Sequence, residues 1–157
     1  MLKKLDENYK FATFLKGNAD EDILDRQFKE LHKKYFKNYD CSKCMKCCKK
    51  LEACFSEEEV KKGAERLNYS AEKFKEIYLK SKVGENKYYT KRVPCPFLKS
   101  GECILGEDKP KDCTEYPYTN KTGRLFSLYS MVCNTEICPI LNKIFEELKE
   151  IYQFKVR

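Results

Sequence analysis

Apolar side chains recur at helical spacing early in the chain, beside residues that can cap a helix. Between residues 20 and 38 they are four, three and four residues apart: Leu24, Phe28, Leu31 and Tyr35. This spacing places them on one face of a helix, and Asn18 or Asp20 can accept hydrogen bonds from its first free N–H groups. The pattern predicts an amphipathic helix there, preceded by a shorter helix that ends at Gly17.

Two further helices are predicted in the middle of the chain. Ser56 followed by Glu59 is a reciprocal capping pair that opens a helix, which we expect to run to about Leu67. Ser70 can cap the next helix, whose apolar residues share one side. Together these two segments predict a helical hairpin.

The second half of the chain is predicted to be less regular until its last helix. Between residues 84 and 138, frequent Pro and Gly leave room only for short strands, such as residues 88–93 and 125–129. Pro139 then suits the first turn of a helix whose apolar residues recur at about one turn. The expected fold is mainly α, a small single domain over residues 1–157, with about five helices and a long irregular, short-stranded segment.

Composition adds one unusual feature, which is ten cysteines among 157 residues. The chain has no apolar stretch long enough to cross a bilayer and no export signal at its N-terminus, so we expect a cytoplasmic protein without membrane contact. The cytosol keeps thiols reduced, and cysteines there more often bind metal or react than form disulfides. Because irregular backbone buries little apolar area, we expect metal bonds to organise the irregular segment.

The charge pattern favours no nucleic-acid partner, and the position of the single histidine favours no metal-binding role. The formal net charge is +7, but lysines alternate with glutamates along nearly every segment and form no single basic stripe. This pattern favours a solvated surface, so nucleic acid is not the expected partner. The single histidine, His32, lies beside Leu31 on the predicted helix, where we expect it to pack or to face solvent instead of binding metal.

The most specific chemical signal is two consecutive CxxC steps that end in a pair of adjacent cysteines. The four residues are Cys41, Cys44, Cys47 and Cys48. A CxxC step lets two thiolates turn toward one ion, and its repetition presents three sulfurs in one loop. Neighbouring side chains point apart in an extended chain, so we expect Cys47 and Cys48 to serve different sites or different shells. Three nearby lysines are candidates for lowering thiolate pKa values, with solubility as their alternative role: Lys43, Lys46 and Lys49.

Four more cysteines follow at wider spacing: Cys95, Cys103, Cys113 and Cys138. Ferredoxin-type clusters take three ligands from a CxxCxxC run and a fourth from a distant cysteine, often followed by Pro. Both Cys95 and Cys138 are followed by Pro. These eight cysteines are enough for two four-sulfur sites, or for one site with unused thiols beside it. Cys54 and Cys133 lie outside any tight spacing, and we expect them to be small buried hydrophobic residues.

The identity of the metal is only partly indicated. Four thiolates suit tetrahedral zinc and an iron–sulfur cluster, such as a 4Fe–4S cluster, equally well. A Cys-Pro pair after a CxxCxxC run favours the iron–sulfur cluster, so zinc is the alternative.

Further motifs follow the first four cysteines in a fixed order: Cys95-Pro96-Phe97-Leu98, Cys103-Ile104-Leu105, Pro110-Lys111-Asp112-Cys113, Tyr116-Pro117 and Cys138-Pro139. From about residue 20 to the C-terminal helix, with a core region at 41–139, the chain resembles the CxxCxxCC or YkgJ-type cysteine-cluster family, described as zinc- or iron-chelating domains. The resemblance implies these metal ligands: Cys41, Cys44, Cys47, Cys48, Cys95, Cys103, Cys113 and Cys138. Where the family has arginines around the third motif, this chain has Lys109 and Thr114, so a role of those arginines in binding anions does not carry over.

The function inferred from the sequence is a metal-binding protein that holds an iron–sulfur cluster or zinc through these cysteines. A first alternative is a cluster-dependent redox or methyl-transfer enzyme, since one family relative, the flagellin lysine methylase, carries a similar motif. Such an enzyme needs an open coordination position or a cofactor cleft, and the sequence has no glycine-rich nucleotide loop. A second alternative, a zinc-ribbon-like adaptor for nucleic acid or protein, is favoured only by the net charge.

Overall fold

The computed structural model describes residues 2–156, with the side chains of all except Leu2, Ser42 and Lys43. The helices are α1 (Leu2–Asn18), α2 (Glu21–Phe36), α3 (Cys41–Cys44), α4 (Lys46–Lys50), α5 (Glu57–Arg66), α6 (Ala71–Tyr78), α7 (Lys111–Glu115), α8 (Arg124–Asn134) and α9 (Pro139–Ile151). The strands are β1 (Cys54–Phe55), β2 (Leu79–Ser81), β3 (Tyr88–Thr90), β4 (Leu98–Lys99) and β5 (Glu102–Cys103). The fold is therefore mainly helical with a few short strands, as the sequence predicts.

The chain divides into two compact units. The helical unit combines the chain up to Tyr39 with the chain from Pro117 onward, and the cysteine unit is Asp40–Tyr116. The assignment of residues 1–157 to a single domain stays a prediction. None of the helices in residues 2–156 combines the length and the hydrophobicity that a membrane span requires.

The helical unit packs α1 against α8, and α2 against both α8 and α9. Its core contains an aromatic group in which the ring of Phe145 lies 6.2 Å from that of Phe11 and 6.4 Å from that of Phe28. Lys149 of α9 is buried, and its ammonium group lies 2.8 Å from carboxylate oxygens of both Glu7 and Glu146. These two carboxylates offset the cost of burying the lysine charge.

Helix α8 contradicts the sequence prediction, which assigned residues 125–129 to a short strand. Its N-cap is Gly123, which has no side chain to accept hydrogen bonds from the first turn. Asp25 of α2 accepts them instead, from the backbone N–H of Gly123 at 3.0 Å and of Arg124 at 2.9 Å. Asp25 lies 98 and 99 positions away from these residues in the sequence, so no local pattern shows the cap.

Replacing Asp25 by alanine is expected to lower the free energy of unfolding by about 1–3 kcal/mol, because two backbone N–H groups lose a charged acceptor. Urea unfolding followed by circular dichroism measures this change. Glu30→Ala, at an exposed position of the same helix, is the matched control and is expected to change stability by less than ~0.5 kcal/mol. Equal losses in the two variants would contradict this role of Asp25.

In the cysteine unit, α5 and α6 form the predicted helical hairpin. Ser56 and Glu59 make the complete capping box of α5, and the Ser70 hydroxyl accepts the backbone N–H of Lys73 to cap α6. Val60 and Ala64 of α5 and Phe74 of α6 are buried between the helices and the rest of the core. Both capping interactions that the sequence predicts are therefore confirmed.

Two small antiparallel sheets complete the cysteine unit. The first has the strand order β1-β3-β2 and pairs Cys54 with Tyr89; the second joins β4 to β5 and pairs Leu98 with Cys103. The predicted strand over 88–93 is confirmed only as far as Thr90. The core beneath these strands consists of Ala53, Phe55, Val60, Ala64, Phe74, Leu79, Phe97 and Leu105. Two residues of the irregular segment, Phe97 and Leu105, belong to this core.

Candidate metal centre

The CxxCxxCC motif folds into two short helices instead of one loop. Cys41 and Cys44 are the first and last residues of α3, while Cys47 and Cys48 lie in α4. Met45 lies between these helices with a φ of 51° and a buried side chain. A residue in the left-handed region does not continue an α-helix. The motif is therefore divided, with two cysteines in each short helix.

A backbone hydrogen bond and a strand contact join two of the later cysteines to this motif. The N–H of Cys95 donates to the carbonyl oxygen of Cys48 at 2.7 Å, which joins the irregular segment to α4. Cys103 ends β5, the strand that contacts α3. Cys95, Cys103 and Cys113 of α7 are all partly buried against the core of the cysteine unit. Cysteines from both halves of the predicted ligand set therefore meet in one unit.

Five thiols lie close enough for the charge on one to change the pKa of another: Cys47, Cys48, Cys95, Cys103 and Cys113. Burial of the thiol, followed by the negative charges of Asp112 and Cys95, raises the pKa of Cys113 to about 12. Burial is also the main reason that the pKa of Cys95 is raised, and a charge on Cys103 raises it further. The thiols thus repel one another when ionised, which is the condition that a bound cation relieves.

Cys47 and Cys48 are joined by a hydrogen bond between their side chains. The Cys48 thiol donates this bond, which lowers the pKa of Cys47 to about 7 and raises the pKa of Cys48. Burial opposes the lower pKa of Cys47, whereas backbone N–H groups and the charge of Lys109 favour it. The extended chain that was assumed for these residues is replaced by a helix, and the expectation that Cys47 and Cys48 serve different sites or different shells stays a prediction.

The sequence pattern did not identify Lys109 as a positive charge that acts on the thiols. Its charge lowers the pKa of Cys47. Of the lysines predicted to act on the thiols, Lys46 and Lys49 are exposed, and the side chain of Lys43 lies outside the described residues. The signal that identifies Lys109 is its position before Pro110, where the resemblance noted from the sequence implies an arginine. A lysine there keeps the positive charge, although it loses the planar guanidinium group.

Cys138 belongs to the helical unit. It is buried at the N-cap position of α9, where its backbone N–H donates to the carbonyl oxygen of Asn134 at 2.9 Å. Its role as the eighth ligand stays a prediction from the sequence.

Cys54 and Cys133 lie outside the group of five coupled thiols. Cys54 is half-buried in β1, where burial and then the charge of Asp112 raise its pKa, and its thiol is hydrogen-bonded to Tyr89. Cys133 is exposed on α8, with its sulfur 3.0 Å from the hydroxyl oxygen of Tyr9. The prediction of a buried hydrophobic residue is therefore wrong for Cys133.

His32 packs within the helical unit. Its Nδ1 lies 2.7 Å from Oγ1 of Thr119, and its ring centroid lies 4.6 Å from that of Phe36. Burial lowers the pKa of the imidazole. These contacts agree with the packing role predicted for it.

The donor set suits zinc or an iron–sulfur cluster. The described part of the chain keeps its cysteines as thiols, and thiolates are the soft ligands that both centres prefer. Among the described residues, no three or more Cys, His, Asp and Glu side chains are arranged to hold a metal ion as they stand. Either centre takes four ligands, and a cysteine must lose its proton to become one.

A family model named CxxCxxCC and described as a "putative zinc- or iron-chelating domain" matches residues 40–143, which is more than half of the chain. The matched region contains all eight predicted ligands, but it begins at residue 40 and not near residue 20, where the resemblance was expected to start. No curated protein and no solved structure matches this chain.

Proposed function

Since the chain belongs to the CxxCxxCC family, we propose that thiolates of the cysteine unit hold one metal centre, an iron–sulfur cluster or zinc. The observation that supports this proposal is the electrostatic coupling of five thiols drawn from both predicted groups of cysteines. Two independent four-sulfur sites would keep the groups apart. We therefore favour a single centre in this unit.

The ligands of this centre are proposed from seven cysteines. Five are the coupled thiols, and two are Cys41 and Cys44, whose helix contacts the strand that ends at Cys103. Cys138 is an additional candidate that rests on the sequence alone. An iron–sulfur cluster is the preferred occupant because Cys95 is followed by Pro after a CxxCxxC run.

The chain's own residues prepare the site in two ways. The core residues around Phe97 partly bury the thiols and limit their contact with water, and the charge of Lys109 offsets part of the negative charge on the thiolates. A bound cluster would supply one-electron redox chemistry, whereas zinc would supply a structural cross-link. Because β4 and β5 have two residues each and α7 has five, such a cross-link would also stabilise elements too short to persist alone.

Purification without oxygen, followed by iron, zinc and sulfide analysis and a visible absorption spectrum, tests this proposal. Iron with sulfide and visible absorption identifies a cluster, and zinc without colour identifies a zinc site. Protein that carries neither metal in stoichiometric amount overturns the proposal.

Zinc affinity is expected to decrease steeply as the pH falls. The pKa values of Cys48, Cys95 and Cys113 are raised, so these thiols are protonated at neutral pH and each must release a proton to bind. The apparent association constant should rise about tenfold per pH unit for each such ligand. Competition with a chromophoric chelator between about pH 6 and pH 8 measures this slope. An affinity independent of pH would exclude these thiols as ligands.

A further inference from the structure

We propose that Glu59 is a positioning residue for the metal centre, because its carboxylate fixes helix α7 and thereby the thiol of Cys113. This inference rests on the proposed function, since it concerns the same site. Glu59 itself is not a ligand in this proposal. It acts through the backbone of the short helix that carries one.

The two carboxylate oxygens of Glu59 hold two different helices. Oε1 accepts the backbone N–H of Ser56 at 2.9 Å and completes the capping box of α5. Oε2 accepts the backbone N–H of Lys111, the first residue of α7, at 2.5 Å. The N-cap residue of α7 is Pro110, which makes no side-chain capping bond. Glu59 therefore provides a cap that α7 lacks within its own sequence.

Helix α7 depends on such outside contacts because it has only five residues. A helix of this length does not form stably in isolation. Its second tether is Asp112, whose Oδ2 accepts the backbone N–H of Cys54 on β1 at 3.1 Å. With Glu59 at its first residue and Asp112 at its second, α7 is held from two elements. Cys113 follows directly as its third residue.

The charge state of Glu59 agrees with this role. Burial raises the pKa of its carboxyl group, but the hydrogen bonds from Lys111 and Ser56 lower the pKa by more, so the net shift is downward. The group is therefore an ionised acceptor at neutral pH. Hydrogen bonds to an ionised acceptor are stronger than those between neutral groups.

Three variants separate the contact with α7 from the contact with α5. Glu59→Gln retains a single acceptor oxygen, so it cannot serve both helices. Lys111→Pro removes the backbone donor on α7, together with the exposed lysine side chain, and leaves the capping box intact; proline is compatible with the first position of a helix. Ser56→Ala breaks the capping box but preserves the bond from Lys111 to Glu59. Glu58→Gln, at the exposed neighbouring position, is the surface control.

Cobalt(II) is the probe, since its absorption bands report on thiolate ligation, and chelator competition gives its affinity for each purified full-length chain. We expect Glu59→Gln and Lys111→Pro to weaken cobalt binding by about 10–100-fold and to alter the spectrum, as loss of an outer-shell partner does elsewhere. Ser56→Ala and Glu58→Gln should stay within about twofold of the unmodified chain. Unfolding of the metal-free variants is measured in parallel to compare their stabilities.

Two results overturn the inference. One is an unchanged cobalt affinity and spectrum in both Glu59→Gln and Lys111→Pro, and the other is an equal loss of affinity in Ser56→Ala, which would mean that Glu59 acts only by stabilising α5. Failure of the unmodified chain to bind cobalt, zinc or iron is a different outcome. It would refute the proposed function itself, and the inference with it.

Discussion

A Cys113→Ser variant is expected to lose the metal centre, with metal affinity reduced by more than about 100-fold. Cys113 lies among the other thiols and is half-buried, and a serine hydroxyl is not ionised at neutral pH and does not replace a soft thiolate. Removal of a direct ligand should cost more than the ~10–100-fold typical of an outer-shell partner. Metal per chain, measured by elemental analysis after anaerobic purification, gives the result.

Cys54→Ser is the matched control for this prediction. Cys54 lies in the same unit and is half-buried, and its pKa is also raised by burial, but it lies outside the coupled group. We expect this variant to retain its metal. Full metal content in Cys113→Ser, or equal loss in both variants, would contradict the assignment. Cys138→Ser in the same series tests whether the eighth predicted ligand contributes.

Phe97→Ala is expected to lower the free energy of unfolding by about 3–5 kcal/mol, a large part of the ~5–15 kcal/mol that stabilises a typical protein. The Phe97 side chain is 1% exposed, and its ring stacks on that of Phe74 at a centroid distance of 5.4 Å. Its ring also contacts those of Phe55 and Tyr78. Because Phe97 follows Cys95 by two residues, the variant should also bind metal less tightly. Urea unfolding of the metal-free protein measures the loss.

Phe126→Ala provides the comparison, since the Phe126 side chain is 73% exposed. Its stability should change by less than ~0.5 kcal/mol. Added zinc should restore part of the stability lost in Phe97→Ala, because a ligand that binds only the folded state shifts the equilibrium toward it. Similar losses in both variants, or no effect of zinc on Phe97→Ala, would contradict the coupling of this core to the metal centre.

Three of the helices that the sequence predicts have local side-chain caps. Asp20 caps α2, Ser56 caps α5 and Ser70 caps α6, each through a side-chain bond to a backbone N–H three residues later. Helix α8 differs because its N-cap, Gly123, has a positive φ that is typical of a turn, and its acceptors come from Asp25. A cap supplied by a distant residue leaves no trace in a local pattern.

The candidate site shows the same division between local and tertiary information. Spacing alone selects the cysteines of the first motif as predicted ligands, and the order of motifs extends this predicted set to Cys138. The hydrogen bond between Cys47 and Cys48 depends on their helical backbone, which spacing does not reveal. The capping box of Glu59 is visible in the sequence, but the use of its second oxygen by α7 depends on the packing of segments 52 residues apart.

X-ray absorption at the metal edge of the anaerobically purified protein tests the central claim most directly, because it reports the atoms bound to the metal. We predict a shell of about four sulfur neighbours, at about 2.3 Å if the metal is zinc, with additional short iron–iron distances if it is a cluster. A first shell made mainly of nitrogen and oxygen would show that the thiols of the cysteine unit do not hold the metal.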